Sequence, residues 1–235
     1  MTAKEVMKEL ESYGDETIKN IYLNHGIKEP LFGVRIQDMK KILKKIKKNH
    51  ELSLELYSTG NYDAKYFAGL IADENKISKD DLMKWAKEAS NSGISEYTVP
   101  WIASESKFGY ELGLKWIDSN NEAIASSGWC TLAYMASLKP DNELDLKVYR
   151  NLLNRVKKEI HTSPNRVKYT MNGFVIAIGS YIKDLSNDAI KVAKNIGTVN
   201  VNMGDTSCKV PLATAYINKV ISKGKLGNKR KKARC

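Results

Sequence analysis

The chain has 235 residues, 42% of them hydrophobic, and a formal net charge of +11 at pH 7. This length and composition are typical of a globular protein with a sizeable core, and they exclude a disordered chain. No apolar run approaches the roughly 20 residues that span a bilayer, and the N-terminus lacks the features of a signal peptide, so no membrane partner is expected. Without an export signal, three cysteines are expected to stay reduced in the cytoplasm: Cys130, Cys208 and Cys235.

Helical periodicity governs the N-terminal part of the chain. Two short helices are predicted over residues 3–12 and 15–24, and an amphipathic helix over 36–48 follows a Leu-Phe-Gly-Val connector. One face of the 36–48 helix is an apolar stripe, and lysines cover the rest. These lysines either lie on a solvated face or form an edge that contacts phosphates. The lysines predicted to contact phosphates are Lys40, Lys44, Lys47 and Lys48.

The most aromatic part of the chain runs from 93 to 134. It holds three of the four tryptophans, and two of its carboxylates are set among small and apolar residues. Tryptophans in such helices are more often core than ligand contacts, so this region is either a packed core or a binding wall. The residues concerned are Trp101, Trp116 and Trp129, with Glu96 and Glu105.

Three predicted helices resemble one another, over residues 63–73, 124–134 and 166–180, and a helix over 95–105 fills the gap in their spacing. Helix pairs that repeat every roughly 30–45 residues are typical of an α-solenoid, whose concave face is the usual binding surface. We therefore predict an all-α fold. Residues 198–209 alone show strand-like alternation and are predicted to form a hairpin or an extended loop. A last helix then ends near Ser222.

Much of the positive charge lies at the C-terminus. Residues 223–235 contain seven lysines and arginines and no acid, and subtracting these seven from +11 leaves +4 for residues 1–222. A basic tail attracts polyanions through counterion release. We therefore expect one domain over 1–222 and a mobile basic tail over 223–235 that contacts nucleic acid, with a merely solubilising terminus as the alternative. The tail residues predicted to contact phosphates are Lys229, Arg230, Lys231 and Lys232.

The sequence contains no convincing set of metal ligands. Its three histidines are scattered, its cysteines form no Cys-x-x-Cys pair, and residues 200–209 lack the glycine spacing of a phosphate-binding loop. We expect neither a metal nor a cofactor.

Four stretches of the chain are distinctive: LFGVRIQDMKKILKKIKK (31–48), LYSTGNYDAKYFAGLIAD (56–73), SEYTVPWI (95–102) and RVKYTMNGFVIAIGSYI (166–182). They resemble the DNA alkylation repair family, which contains DNA glycosylases built from HEAT-like helical repeats. The resemblance extends from about residue 15 to 222. It implies a right-handed superhelix with a basic concave face.

Active members of this family remove cationic alkylated bases such as 3-methyladenine and 7-methylguanine. The resemblance implies an aspartate that stabilises charge on the sugar and two tryptophans that hold the cationic nucleotide. Aligned on the Val-Pro pair, Glu96 takes the aspartate position, Ser92 the first tryptophan and Phe174 the second. The arginine that binds phosphate in the family falls near Ser126. In the family the first tryptophan lies four residues before the aspartate. A rival alignment therefore places Trp101 on that tryptophan and Glu105, four residues later, on the aspartate.

A glutamate at the aspartate position and the loss of a tryptophan and an arginine predict impaired catalysis. We expect a monomer that binds damaged, bent or branched DNA by backbone and shape, with weak or no base excision. The alternatives are an active glycosylase that uses Glu96 or Glu105 and a helical-repeat scaffold that binds a protein. The further DNA contacts predicted are Trp101, Arg166, Lys168 and Phe174.

Overall fold

A computed structural model describes residues 1–27 and 30–234, so Cys235 lies outside the described residues. Within this part of the chain there are thirteen α-helices and no strand. The helices are α1 (Ala3–Ser12), α2 (Glu16–Asn24), α3 (Ile36–Ile46), α4 (His50–Ser58), α5 (Tyr62–Ile71), α6 (Lys79–Glu88), α7 (Val99–Glu105), α8 (Gly109–Trp116), α9 (Glu122–Leu138), α10 (Leu146–Glu159), α11 (Asn165–Tyr181), α12 (Ser186–Ile196) and α13 (Ala213–Ser222). A π-helical segment, Ile94–Thr98, leads directly into α7.

Most helices begin where a polar side chain can satisfy their free backbone N–H groups. Thr2 forms a capping box with Glu5 at the start of α1, and Ser78 forms one with Asp81 at the start of α6. The side chain of Asn121 accepts from two backbone N–H groups at the start of α9. Such caps are each worth about 1 kcal/mol, and they set the helix boundaries locally.

The helices form two layers. An inner layer consists of α5, the π-helical segment with α7, α9, α11 and α13, and each of these packs against the next. An outer layer backs them, with α4 on α5, α6 on α7, α8 on α9 and α12 on both α11 and α13. Because each helix packs mainly against helices of its own repeat and of the adjacent repeats, the predicted all-α stack of helical repeats is confirmed.

Large aromatic side chains fill the space between the layers. Trp85 stacks on Tyr57 with ring centroids 4.1 Å apart, and both rings are almost fully buried. Phe174 lies between Tyr149 and Trp129, at centroid distances of 5.9 and 5.1 Å. These contacts place most tryptophans in the core, as their position on apolar helices indicated.

A buried carboxylate explains two of the sequence stretches quoted above. Asp63, at the start of α5, is fully buried and accepts hydrogen bonds from the backbone N–H groups of Phe32, Gly33 and Val34, at 2.6, 3.1 and 2.9 Å. Gly33 has a φ of +79° and leaves no space for a side chain beside Asp15 and Lys19. The Phe-Gly-Val loop at 32–34 supplies the donors, and the Gly-x-x-Asp turn at 60–63 supplies the acceptor. The two stretches therefore form one interaction.

The C-terminal segment is not the mobile tail that its composition predicted. Residues 225–234 run back along the inner layer, where the N–H of Gly227 donates to Ser180 O at 2.9 Å and that of Arg230 to Ser137 O at 2.7 Å. Lys229 donates to Ala136 O at 2.8 Å and pairs with Asp141 at 2.7 Å. Composition could not show this, because the acceptors and acids that hold the segment lie far away in the sequence.

The end of this segment reaches the N-terminal half of the molecule. Ala233 is fully buried, and its N–H donates to Glu105 Oε1 at 2.5 Å. Nη1 of Arg234 donates to three carbonyl oxygens near the C-terminus of α5, those of residues 69, 70 and 72, at 2.9–3.2 Å. Nη2 of Arg234 pairs with Glu74 at 2.5 Å and with Glu105 at 3.4 Å. The segment therefore links the last inner helix to the first.

The length and polarity of the helices bear on membrane insertion. No helix within residues 1–27 and 30–234 is both long enough and apolar enough to traverse a bilayer.

Candidate functional site

A π-helical turn shapes the centre of the inner layer. The N–H of Val99 donates to the carbonyl of Ile94, five residues back, rather than four. Pro100 follows, and it has no N–H and would crowd the carbonyl of Glu96 in a regular α-helix. The wider turn avoids this clash and brings the neighbouring residues Glu96 and Tyr97 to the same surface. Single π turns of this kind are common at functional sites.

Glu96 is locked in an ion pair with Arg166 of α11. Nε and Nη2 of Arg166 donate to Oε1 and Oε2 of Glu96 at 2.6 and 2.7 Å. The Glu96 side chain is only 3% exposed, whereas that of Arg166 is 24% exposed, and the guanidinium lies 4.4 Å from the ring centroid of Tyr169. Burial raises the pKa of the Glu96 carboxyl, and the guanidinium opposes this effect. Both carboxylate oxygens are thus already occupied.

Three adjoining cavities, which we call the inner groove, run along the inner layer on either side of this pair. Their volumes are about 570, 340 and 250 Å³. The largest lies between α2, the π-helical segment and α11, and Glu96 and Arg166 are in its wall. Tyr97 lines all three cavities and is 41% exposed, so it stands at the centre of the groove.

Among the described residues, eight tyrosines and one tryptophan, Trp101, line this groove. Burial raises the pKa of one of them, Tyr22, to about 12, so its hydroxyl is neutral at physiological pH. Four of them recur at intervals of 35, 37 and 35 residues, which is the repeat period of the fold. This regular spacing was the signal that sequence reasoning missed. The groove tyrosines are Tyr22, Tyr62, Tyr66, Tyr97, Tyr134, Tyr169, Tyr181 and Tyr216, and the periodic ones are Tyr62, Tyr97, Tyr134 and Tyr169.

The loop over residues 197–212 covers one side of the largest cavity. It is extended and contains no strand, so the hairpin alternative is wrong. The side-chain amide of Asn165 exchanges hydrogen bonds with the backbone of Asn202 at 2.7 and 2.8 Å, which ties the loop to the start of α11. Gly204, with a φ of +74°, lies against the carbonyl of Asn24 at the end of α2. The loop thereby bridges α11 and α2.

Lysines lie at one edge of the inner groove. Ile36 of α3 lines the 340 Å³ cavity, and Lys40 and Lys44 follow it at helical spacing on the same side of the helix. Both are exposed, as is Lys47, and none of the three forms an ion pair with a described residue. Lys48 instead pairs with Glu74 at 2.5 Å.

The basic residues of the C-terminal segment divide into two groups. Lys229 and Arg230 are engaged with the protein, and Arg230 also lines the 250 Å³ cavity over the ring of Tyr134. Lys231 and Lys232 are exposed. Lys168 is half-buried on α11. Near the groove, free positive charge therefore lies on α3, on the exposed part of this segment and on Lys209 of the 197–212 loop, which is exposed in the wall of the 570 Å³ cavity.

Three residues proposed from the sequence do not present the surfaces expected of them. Phe174 is fully buried and Trp101 is 1% exposed, so neither offers a ring face to a base, and their prediction as DNA contacts is wrong. Both rings are enclosed by neighbouring aromatic side chains. Glu105 does not line the inner groove, because it is held under the C-terminal segment by Ala233 and Arg234.

Metal-binding groups are not assembled at the groove. No cluster of three or more His, Cys, Asp or Glu side chains that could hold an ion occurs among the described residues. Cys130 lies near Glu96 in the wall of the 250 Å³ cavity, and burial raises the pKa of its thiol well above the usual value.

Comparison with a solved structure supports this description of the fold. The structure belongs to proteins described as "a new family of proteins related to the HEAT-like repeat DNA glycosylases with affinity for branched DNA structures". It is 40% identical to this chain, with a TM-score of 0.92 and coverage of 100% of both chains.

Comparison with sequences gives a consistent result. The uncharacterized protein Lin0241 of Listeria innocua is 35% identical over 225 residues, covering 93% of this chain and 97% of the relative. The uncharacterized protein Lmo0209 of Listeria monocytogenes is 34% identical over 231 residues, covering 96% and 100%. A family model described as DNA alkylation repair enzyme matches residues 6–209. The chain therefore belongs to the DNA alkylation repair enzyme family and has its superhelix of HEAT-like repeats.

Proposed function

We propose that this protein binds branched or distorted DNA along the inner groove, by backbone and shape, and does not excise bases. The observation that carries this proposal is the groove itself, which has aromatic walls and a lysine edge on α3. Full-length similarity to a structure whose family is described by its affinity for branched DNA supports the same ligand.

Contacts from lysines are suited to phosphates and carry no sequence information. Lys40 and Lys44 have no acidic partner among the described residues, so they are available to neutralise phosphates. The lining of the groove is mostly tyrosine rings, which offer faces and neutral hydroxyls rather than a pattern that distinguishes base edges. We therefore expect selection of DNA shape rather than of sequence, by a monomer in the cytoplasm.

The ion pair of Glu96 argues against base excision. A carboxylate that stabilises positive charge developing on a sugar must face that sugar with its charge uncompensated. Both oxygens of Glu96 accept from Arg166 at 2.6 and 2.7 Å, so its charge is already balanced. The rival candidate, Glu105, is covered by the C-terminal segment. Neither glutamate is placed to act.

Binding can be tested by gel shift with a three-way DNA junction and a linear duplex of the same length over a range of salt concentrations. We expect tighter binding of the junction. The double variant Lys40→Ala, Lys44→Ala should weaken binding. It should also make the fall of the log association constant with log salt concentration shallower by nearly 2, because each phosphate contact that is lost reduces the magnitude of this slope by about 0.9.

The matched control is Lys157→Ala, Lys158→Ala. These two lysines are also exposed and without an ion pair among the described residues, but they lie on α10, which contributes nothing to the inner groove. Equal loss of affinity in both double variants would contradict binding at the groove. Salt-independent or undetectable DNA binding would favour the protein scaffold instead.

Excision can be tested separately with duplex DNA that contains 7-methylguanine. We expect no base release above the spontaneous rate for the wild-type protein. Release that disappears in Glu96→Gln would contradict the proposal and would restore the glycosylase alternative.

A further inference from the structure

We propose that the 570 Å³ cavity holds a single unpaired nucleotide, with its base stacked on Tyr97 and its polar edge directed to Arg166. The proposal deepens the function proposed above and rests on it for the source of the nucleotide, the unpaired position at a DNA branch. The chemistry is the same for a free mononucleotide, which is the other source to be distinguished.

Tyr97 supplies an accessible aromatic ring at the centre of the groove. It is 41% exposed although it lies between three cavities, whereas Tyr62 and Tyr66 on the neighbouring helix are 7% and 8% exposed. The rings of Tyr97 and Trp101 are inclined at 67° with centroids 5.9 Å apart, so Trp101 does not stack in parallel on Tyr97. A ring held in this way is suited to stacking with a base, because every base has a π face.

Arg166 supplies a fixed hydrogen-bond donor in the same cavity. Two of its three guanidinium nitrogens are held by Glu96, and the group also lies over Tyr169. The third, Nη1, contacts only the sulfur of Met203 at 3.6 Å, and a thioether is a weak acceptor. Nη1 can therefore donate to a ligand without the cost of reorganising the side chain.

The ion pair also restricts the kind of acceptor that Nη1 prefers. Because Glu96 balances the charge of Arg166, the pair as a whole attracts a phosphate weakly. A neutral acceptor, such as a base carbonyl or ring nitrogen, can use Nη1 as well as a phosphate could. A positive group suited to a phosphate lies instead at the rim, where Lys209 is exposed. The cavity therefore has a site for each end of a nucleotide.

The size of the cavity agrees with this ligand. A volume of about 570 Å³ is within the range of pockets that bind small molecules, roughly 300–1,000 Å³. It accommodates one nucleotide but not a base pair in a stacked duplex. A paired base cannot enter without leaving the stack, whereas an unpaired base at a branch avoids much of that cost. This difference would give the protein a preference for branched over linear DNA.

The experiment compares two three-way junctions, one with a single unpaired nucleotide at the branch and one in which that position carries an abasic tetrahydrofuran residue. Dissociation constants are measured by fluorescence anisotropy for the wild type and for Tyr97→Ala. We expect removal of the base and Tyr97→Ala each to weaken binding by roughly 5- to 100-fold, and the two together to weaken it no further.

Two variants control for loss of structure. Tyr97→Phe keeps the ring and should keep the preference for the base. Tyr216→Ala removes another exposed groove tyrosine, 51% exposed, which lines the 250 Å³ cavity and not the 570 Å³ one, and should also keep that preference. The proposal would be overturned if Tyr97→Ala and removal of the base weakened binding additively. It would also be overturned if Tyr216→Ala abolished the preference for the base as completely as Tyr97→Ala.

A second arm titrates free dAMP into the protein. Suppose that dAMP binds the wild type but not Tyr97→Ala, and that the unpaired base does not change the affinity for the junction. These two results together would assign the cavity to a free mononucleotide. Strong junction binding with neither a base effect nor dAMP binding would overturn this inference and leave the proposed function intact. If no junction binds, the proposed function fails, and the dAMP arm still tests the cavity.

Discussion

Glu96 shows how one residue can occupy an expected position and yet lie in an unexpected environment. The sequence placed it before a Val-Pro pair, and the structure explains that pair by a π turn that carries Glu96 to the inner groove. Its partner, Arg166, lies 70 residues away on α11. A buried carboxylate without a counter-ion is costly, so Glu96 and Arg166 should depend on each other for stability.

We predict that Arg166→Ala destabilises the protein by roughly 3–5 kcal/mol, because it leaves the charge of Glu96 buried and unpaired. Urea unfolding followed by circular dichroism measures this change. The double variant Arg166→Ala, Glu96→Gln removes the unpaired charge and should recover part of the loss. A single variant as stable as the wild type would show that the pair is absent in solution.

The C-terminal segment changes the interpretation of a basic element. Arg234 is only 8% exposed in its side chain, and it donates to three carbonyl oxygens near the end of α5, a position where helix carbonyls lack partners and a cation is favoured. Its other nitrogen pairs with Glu74 and Glu105. This arginine therefore acts as a structural cap between elements rather than as a free phosphate contact.

We predict that Arg234→Ala destabilises the protein by about 3 kcal/mol, because it removes a buried cation that donates to three carbonyl oxygens and pairs with two partly buried carboxylates. Thermal unfolding or urea unfolding measures the effect. Arg150→Ala is the matched control, since Arg150 pairs with Asp188 on the exposed surface and such pairs contribute about 0–1 kcal/mol. Equal effects of the two substitutions would refute a capping role for Arg234.

The molecule as a whole contains two hydrophobic clusters, one formed by residues 6–116 and the other by residues 117–217. Ala233 packs in the first cluster although its segment follows the last helix of the second. Repeat proteins are usually stabilised only by contacts between neighbouring repeats. Here the C-terminal segment adds a connection across the whole stack, and the loop over residues 197–212 adds another at the end of α2.

We predict that the full-length chain unfolds in one cooperative transition and that a chain ending at Asn228 unfolds in two. Removal of the segment breaks the long-range connection and lets the N-terminal cluster open separately. Calorimetry of both chains measures the number of transitions, and hydrogen exchange assigns the one that occurs first. A single transition in the shortened chain would mean that contacts between neighbouring repeats are sufficient for cooperativity.

The sequence by itself determined the helices, their repeat and the family. Apolar periodicity is a local property, so it predicted the helices of an all-α stack and the lysine face of α3, whereas Glu96 was singled out by the resemblance to the family. Even the tyrosines of the inner groove were present as a 35- to 37-residue spacing.

Tertiary structure alone decided which of these residues are accessible and which are paired. It buried Phe174 and Trp101, exposed Tyr97, joined Glu96 to Arg166 and turned a basic tail into a structural link. These outcomes depend on contacts between residues far apart in the sequence, from 35 positions for Tyr66 and Trp101 to 165 positions for Gly69 and Arg234. Composition and periodicity report only on neighbours along the chain, which is why they could not predict them.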